Sequence, residues 1–187
     1  MPMSYWRLKL RAMALLLLGR SASAEAVFDA MLARWPHDAH ALSSRSYVRA
    51  QLGRREAAIE DARRLVHAHP EHGAAAWFNL AFLLAENDQA QEAEAAFRRA
   101  LALDARLDRA WYGLGLALIS QGRHDEAVDA LRRNTELQPM SPYGWYQLAR
   151  VHVDRRQPEE ARKIIRHLQG FEPRIAAQLE RETGLAS

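Results

Sequence analysis

The chain has 187 residues, 49% of them hydrophobic, a content that supports a packed core and excludes intrinsic disorder. Its 26 Lys and Arg against 23 Asp and Glu leave a formal charge of only +3, scattered along the sequence, which argues against a nucleic-acid surface. The absence of Cys excludes disulfides, thiolate metal sites and cysteine nucleophiles, and the excess of Ala, Leu, Arg and Glu over Val, Ile and Thr predicts an all-α fold.

The first element admits two readings. Arg7, Lys9 and Arg11, then Ala12 to Leu18, then Ser21 to Ala24, imitate a secretory signal peptide. The apolar run is too short to span a bilayer as a helix, so no stable membrane insertion is expected. The same residues share the phase of a repeat that runs through the rest of the chain, and a cleaved signal has no reason to do so. Residues 1–24 are therefore read as part of a mature, cytoplasmic protein. An exported, periplasmic or membrane-linked assembly factor is the alternative.

The repeat has a period of 34 residues. Repeat one, 5–38, carries Leu8, Ala12, Gly19, Ala24, Phe28 and Pro36. Repeat two, 39–72, carries Leu42, Ser46, Gly53, Ala58 and Pro70, and Gly73 then shifts the register by one residue. Repeat three, 74–107, carries Trp77, Leu80, Ala81, Ala93, Phe97 and Ala100, and has Ala105 where the others have Pro. Repeat four, 108–141, carries Trp111, Leu114, Gly115, Ala127 and Pro139; repeat five, 142–175, carries Trp145, Leu148, Ala149, Ala161 and Pro173. A closing helix is expected over about 174–183. Residues 1–187 are thus read as one domain.

The eighth position of each repeat is Ala12, Ser46, Ala81, Gly115 or Ala149, and the twentieth is Ala24, Ala58, Ala93, Ala127 or Ala161. Small residues at two fixed phases mark where the backbones of two antiparallel helices, A and B, come closest. By this logic Ala127 is a helix contact and Ala130 is not. Pro ends the B helices because it cannot continue their hydrogen bonding. Gly19, Gly53 and Gly122 suit the A-to-B turns as left-handed residues, and Ser141-Pro142 suits the start of a helix, with a capping hydroxyl. Arg11 and Arg45 stand at the seventh position, where repeats three to five have Leu.

This pattern, with its W-x2-L-G core at Trp111, Leu114 and Gly115, resembles the tetratricopeptide repeat family from Tyr5 to about Ile175. The resemblance implies a right-handed α-α superhelix, or solenoid, of five repeats whose concave face is lined by A helices. That face would present Trp6, Lys9 and Met13 of repeat one, then Tyr47, Phe78, Phe82, Arg109, Tyr112, Tyr143, Tyr146 and Arg150, with Asn79 beside them. Aromatics and Arg dominate the energetics of many interfaces. Phe78 and Phe82 are read either as groove or as core. One mode of the family grips a terminal carboxylate with Lys and Asn side chains; repeats two to four offer Ser43, Tyr47, Asn79, Arg109 and Gly113, so that set is incomplete.

The resemblance implies a scaffold or adaptor that binds an extended peptide or a helix of another protein. The rival reading is a structural subunit of an assembly, with homo-oligomerisation left open. His37, His40, His67, His69 and His72 form a His-rich edge at the B-to-A turns, read as helix-end histidines rather than a metal site. No cofactor is expected. No phosphate loop, His-Glu-x-x-His motif or nucleophile elbow is present, so the chain is read as a non-enzyme without catalytic residues.

Overall fold

The computed structural model describes residues 2–71 and 73–185, and among these every regular element is an α-helix. The helices are α1 (Met3–Leu17), α2 (Ser21–Arg34), α3 (Ala39–Gln51), α4 (Arg55–Ala68), α5 (Ala74–Ala85), α6 (Ala90–Leu103), α7 (Asp108–Ser120), α8 (His124–Leu137), α9 (Pro142–Asp154), α10 (Pro158–Gln169) and α11 (Pro173–Thr183). Each repeat read from the sequence holds one helix pair, and α11 follows the fifth. The helices form two compact units: Met1–Gln89, with α1 to α5, and Ala90–Ser187, with α6 to α11.

The small residues lie where their phase requires. Ala12, Ala24, Ala58, Ala81, Ala93, Ala127, Ala149 and Ala161 are fully buried, and Ser46 and Gly115 are buried too. A Cβ added at Gly115 would sit 2.8 Å from Leu131, so the eighth position of that helix has no room for a side chain. Ala130 departs from the expectation: it is only 2% exposed, because a B helix here buries a wider face than its contact point alone.

The A-to-B turns share one backbone design. The fifteenth residue of each repeat is left-handed: Gly19, Gly53 and Gly122, and also Asp88 and Arg156, at φ of 58° and 57°. In every case the next N–H reaches back to a carbonyl five residues earlier: Arg20 to Leu15, Arg54 to Arg49, Gln89 to Leu84, Arg123 to Leu118 and Gln157 to His152. This is a Schellman motif, which satisfies carbonyls that the helix end would leave without partners. The hydrogen bonds hold Asp88 and Arg156 in a region that costs an L-residue energy.

At the B-to-A turns the indole N–H of each fourth-position Trp donates to the preceding turn. Trp77 bonds the Pro70 carbonyl at 3.0 Å, Trp111 that of Ala105 at 2.9 Å and Trp145 that of Pro139 at 2.8 Å. The ring packs while its polar edge satisfies a loop carbonyl, which Leu could not do. Ser141 precedes α9, but its hydroxyl makes no capping bond; Pro142 at the first helical position starts that helix instead. Asp38 does cap α3, its Oδ1 accepting from Ala41 N–H at 2.8 Å while Oδ2 accepts from the Tyr5 hydroxyl.

In the first unit the core gathers Phe28, Met31, Leu42, Val48 and Val66, all fully buried. Beside it runs a charged network. Arg45 is buried and donates through Nε and Nη2 to both oxygens of Asp61, at 2.8 and 2.5 Å, and through Nη1 to Asp29 at 2.6 Å. Arg49 joins Asp61 to Glu25, and Arg54 completes the Glu25 carboxylate. Arg45 thus occupies a Leu position because α2 and α4 supply the acids to match it; Arg11, at the same phase in α1, is exposed.

In the second unit the core holds Val128, Leu131, Leu148, Val151, Ile165, Leu168 and Leu179. Helix α11 packs on both α9 and α10, closing that core. Glu94 and Arg123 pair across 29 residues, the separation of Glu25 and Arg54 in the first unit. Burial alone would raise the Glu94 carboxyl, but hydrogen bonds from Gln121 and Arg123 and the charges of Arg98 and Arg123 hold it below its ordinary range.

Candidate functional site

The residues expected to form one binding surface fall in both units. Tyr47, Phe78, Asn79 and Phe82 belong to the first; Arg109, Tyr112, Tyr143, Tyr146 and Arg150 belong to the second. Each set is described within its own unit.

In the first unit, α1, α3, α4 and α5 enclose a groove of about 580 Å³. Leu16 comes from α1; Ser43, Ser44, Ser46, Tyr47, Ala50 and Gln51 from α3; Ala62 and Leu65 from α4; Ala76, Asn79, Phe82 and Leu83 from α5. No lining residue carries a charge. Tyr47 is 62% exposed and Phe82 52%, so both present apolar area that the fold leaves uncovered. Phe82 is therefore not a core residue. Phe78 is half-buried and stacks on Phe82, with centroids 6.5 Å apart and planes 28° from parallel.

Polar groups are spaced along this apolar lining. The Tyr47 hydroxyl accepts from Gln51 Nε2 at 2.7 Å, which orients the phenol ring. Ser46 donates to the Ala58 carbonyl, so its hydroxyl is committed to joining α3 and α4. The exposed Asn79 carboxamide offers a donor and an acceptor, the pair that an extended backbone requires. Such a surface suits an uncharged, mostly apolar segment and lacks the cations that would hold a carboxylate. Leu83, Leu65 and Ala62 were not legible as lining residues, because they come from the flanks of helices whose tilt decides what they meet.

In the second unit the expected residues are more committed. Tyr112 and Tyr146 are half-buried and pack on the core around Leu131 and Leu148. The Tyr146 hydroxyl donates to Glu182 of α11 at 2.6 Å and accepts from Arg150 at 3.3 Å, and the Arg150 guanidinium lies 3.7 Å from the same carboxylate. Hydrogen bonds from Tyr146 and Gln178 hold the Glu182 carboxyl below its ordinary range. Arg109 is exposed, and Tyr143, at 71%, is more exposed than Tyr47. Glu182 had no signal in the repeat pattern, since it lies beyond the last repeat.

The His-rich edge is held by backbone. His69 Nε2–H donates to the His37 carbonyl at 2.6 Å, and His67 Nδ1–H to that of Arg63 at 2.7 Å. Burial lowers the His40 pKa, followed by the charge of Lys9. His72 lies outside the described residues; among those described, no three His, Asp or Glu converge on a metal position.

The sequence profile of the tetratricopeptide repeat matches residues 9–72 and again 44–108, more than half of the chain. The chain is a tetratricopeptide repeat protein. A second tetratricopeptide-type profile, that of anaphase-promoting complex (cyclosome) subunit 3, matches residues 86–168. No curated protein matches the chain in sequence. Solved structures share its fold at low identity. A crystal structure of MamA is 21% identical, with a TM-score of 0.86 over 100% of this chain and 99% of that one. MamA from residue 41 to its end, from Desulfovibrio magneticus RS-1, is 18% identical, with a TM-score of 0.82 over 97% of this chain and 98% of that one. YrrB, a tetratricopeptide repeat protein with an unusual peptide-binding site, is 19% identical, with a TM-score of 0.81 over 91% of this chain and 88% of that one. This tetratricopeptide repeat protein is accordingly a protein-interaction scaffold in the general sense, in a family that as a rule is not enzymatic.

Proposed function

We propose that the protein is an adaptor whose first unit holds an extended peptide or short helix of a partner protein in the groove between Tyr47 and Phe82. The observation that carries this reading is the uncharged groove of about 580 Å³ with two half-exposed aromatics on its lining. Few monomeric surfaces leave such area open without a use for it. The partner segment is read as neutral and apolar, with its backbone held by Asn79. The likeness in fold to YrrB is in keeping with a peptide ligand. Under the same reading residues 1–24 stay in a mature, cytoplasmic protein, supported by the packing of Tyr5 and Ala12 of α1 into the core.

Selection from a displayed peptide library against the intact protein tests the proposal. Uncharged, apolar sequences should be enriched. The double substitution Tyr47→Ala and Phe82→Ala should weaken them about a hundredfold or more, since hot-spot aromatics typically contribute about 2 kcal/mol each. Both side chains are exposed, so helicity should be unchanged. Peptides that bind the double variant as tightly as the parent would move the site elsewhere.

A further inference from the structure

Helix α1 carries a second apolar surface, separate from its packed face. Met3, Trp6, Leu10, Met13 and Leu17 recur at intervals of three and four residues, which aligns them in one stripe. They are exposed by 46% to 88%, while Tyr5 and Ala12, on the opposite side of the helix, are buried. On the helical wheel Lys9 borders the stripe on one side, and Arg7 and Arg11 border it on the other. Lys9 Nζ lies 5.5 Å from the Trp6 ring centre.

The charge pattern says what this surface would meet. The first 24 residues contain Arg7, Lys9, Arg11 and Arg20 and no carboxylate, although the chain has 23 acids. Elsewhere several exposed cations have an acid within a helical turn, as in Arg133 with Glu136, Arg162 with Glu159 and Lys163 with Glu160. A second copy laid on the stripe would bring cations against cations. An exposed apolar stripe with Trp, flanked on both sides by long cationic side chains, is the pattern of a helix lying in a lipid interface.

We infer that α1 is a peripheral docking surface for anionic membranes, seated parallel to the lipid surface with the stripe among the upper acyl chains and the cations at the headgroups. No described helix is long and apolar enough to cross a membrane, so the attachment is to one leaflet. It is reversible and salt-dependent.

The test is co-sedimentation of the full chain with phosphatidylcholine vesicles, with and without phosphatidylglycerol. The protein should bind the anionic vesicles and bind neutral ones far more weakly. Leu10→Ser with Leu17→Ser should reduce binding about tenfold or more. Each of Arg7→Gln, Lys9→Gln and Arg11→Gln should reduce it about fivefold. Circular dichroism and melting of these exposed-site variants should match the parent. Failure to bind anionic vesicles, or equal binding by the double Ser variant, would overturn the inference. So would light scattering that shows a dimer in the parent and a monomer in that variant, or preferential capture of an acidic amphipathic peptide over vesicles.

Discussion

The Asp61 carboxylate is fully buried and accepts from Arg45 Nε, Arg45 Nη2 and Arg49 Nη1 at 2.8, 2.5 and 2.9 Å. Asp61→Ala would leave the buried Arg45 guanidinium with only Asp29, whose side chain is 51% exposed. Breaking one partner of a buried ion pair typically costs about 3–5 kcal/mol, mostly because the remaining charge stays desolvated. For a chain of this size that lowers Tm by about 6–20 °C. The protein supplies its own control. In repeats three and four the equivalents of Arg45 and Asp61 are Leu80 with Ala96 and Leu114 with Ala130. Arg45→Leu combined with Asp61→Ala should therefore recover most of the loss, since an apolar pair is often as stable as a buried ion pair. Thermal melts followed by circular dichroism, with urea titration, measure both. A single variant within about 1 kcal/mol of the parent, or a double variant no better than the single, would show that the network does not hold α2, α3 and α4 together as argued.

Arg156→Gly should raise stability by about 1 kcal/mol, because the left-handed turn already has the geometry that Gly adopts without strain; urea midpoints measure it. Ala127→Leu should cost about 1–3 kcal/mol by overpacking, whereas Ala102→Leu, on an exposed face of α6, should cost almost nothing; equal midpoints would refute the assigned helix contact. The depressed Glu94 carboxyl contributes stability that is complete above the ordinary glutamate pKa of about 4.3 and is lost as pH falls through its lower folded value. Glu94→Gln should therefore be less stable than the parent at neutral pH and show a shallower loss of stability below about pH 4 in pH-dependent melts.

The groove was legible in part. Tyr47, Asn79 and Phe82 lie on its lining, as the phase of the A helices implied, because residues at the same phase of successive A helices line the same face. Tyr112 and Tyr146, at the fifth position, were expected on the same face, yet they pack on the second core and Tyr146 is latched to Glu182. Phase says which way a side chain leaves its helix and not what it meets there. The closing helix, which carries no repeat signature, supplied the partner. The exposed stripe of α1 was legible in part: the repeat phase leaves Trp6 and Met13 open, but Met3 and Leu10 join them only once the buried and open faces of the helix are distinguished.

The sequence by itself determined the helical repeat, its phase, the contact residues and the turn glycines, because these follow from local spacing repeated five times. Tertiary structure alone decided how Arg45 is accommodated and which aromatics stay open. Each of those depends on groups brought together from different helices. Charge pairing and side-chain coverage are properties of the packed assembly, and no single helix carries them.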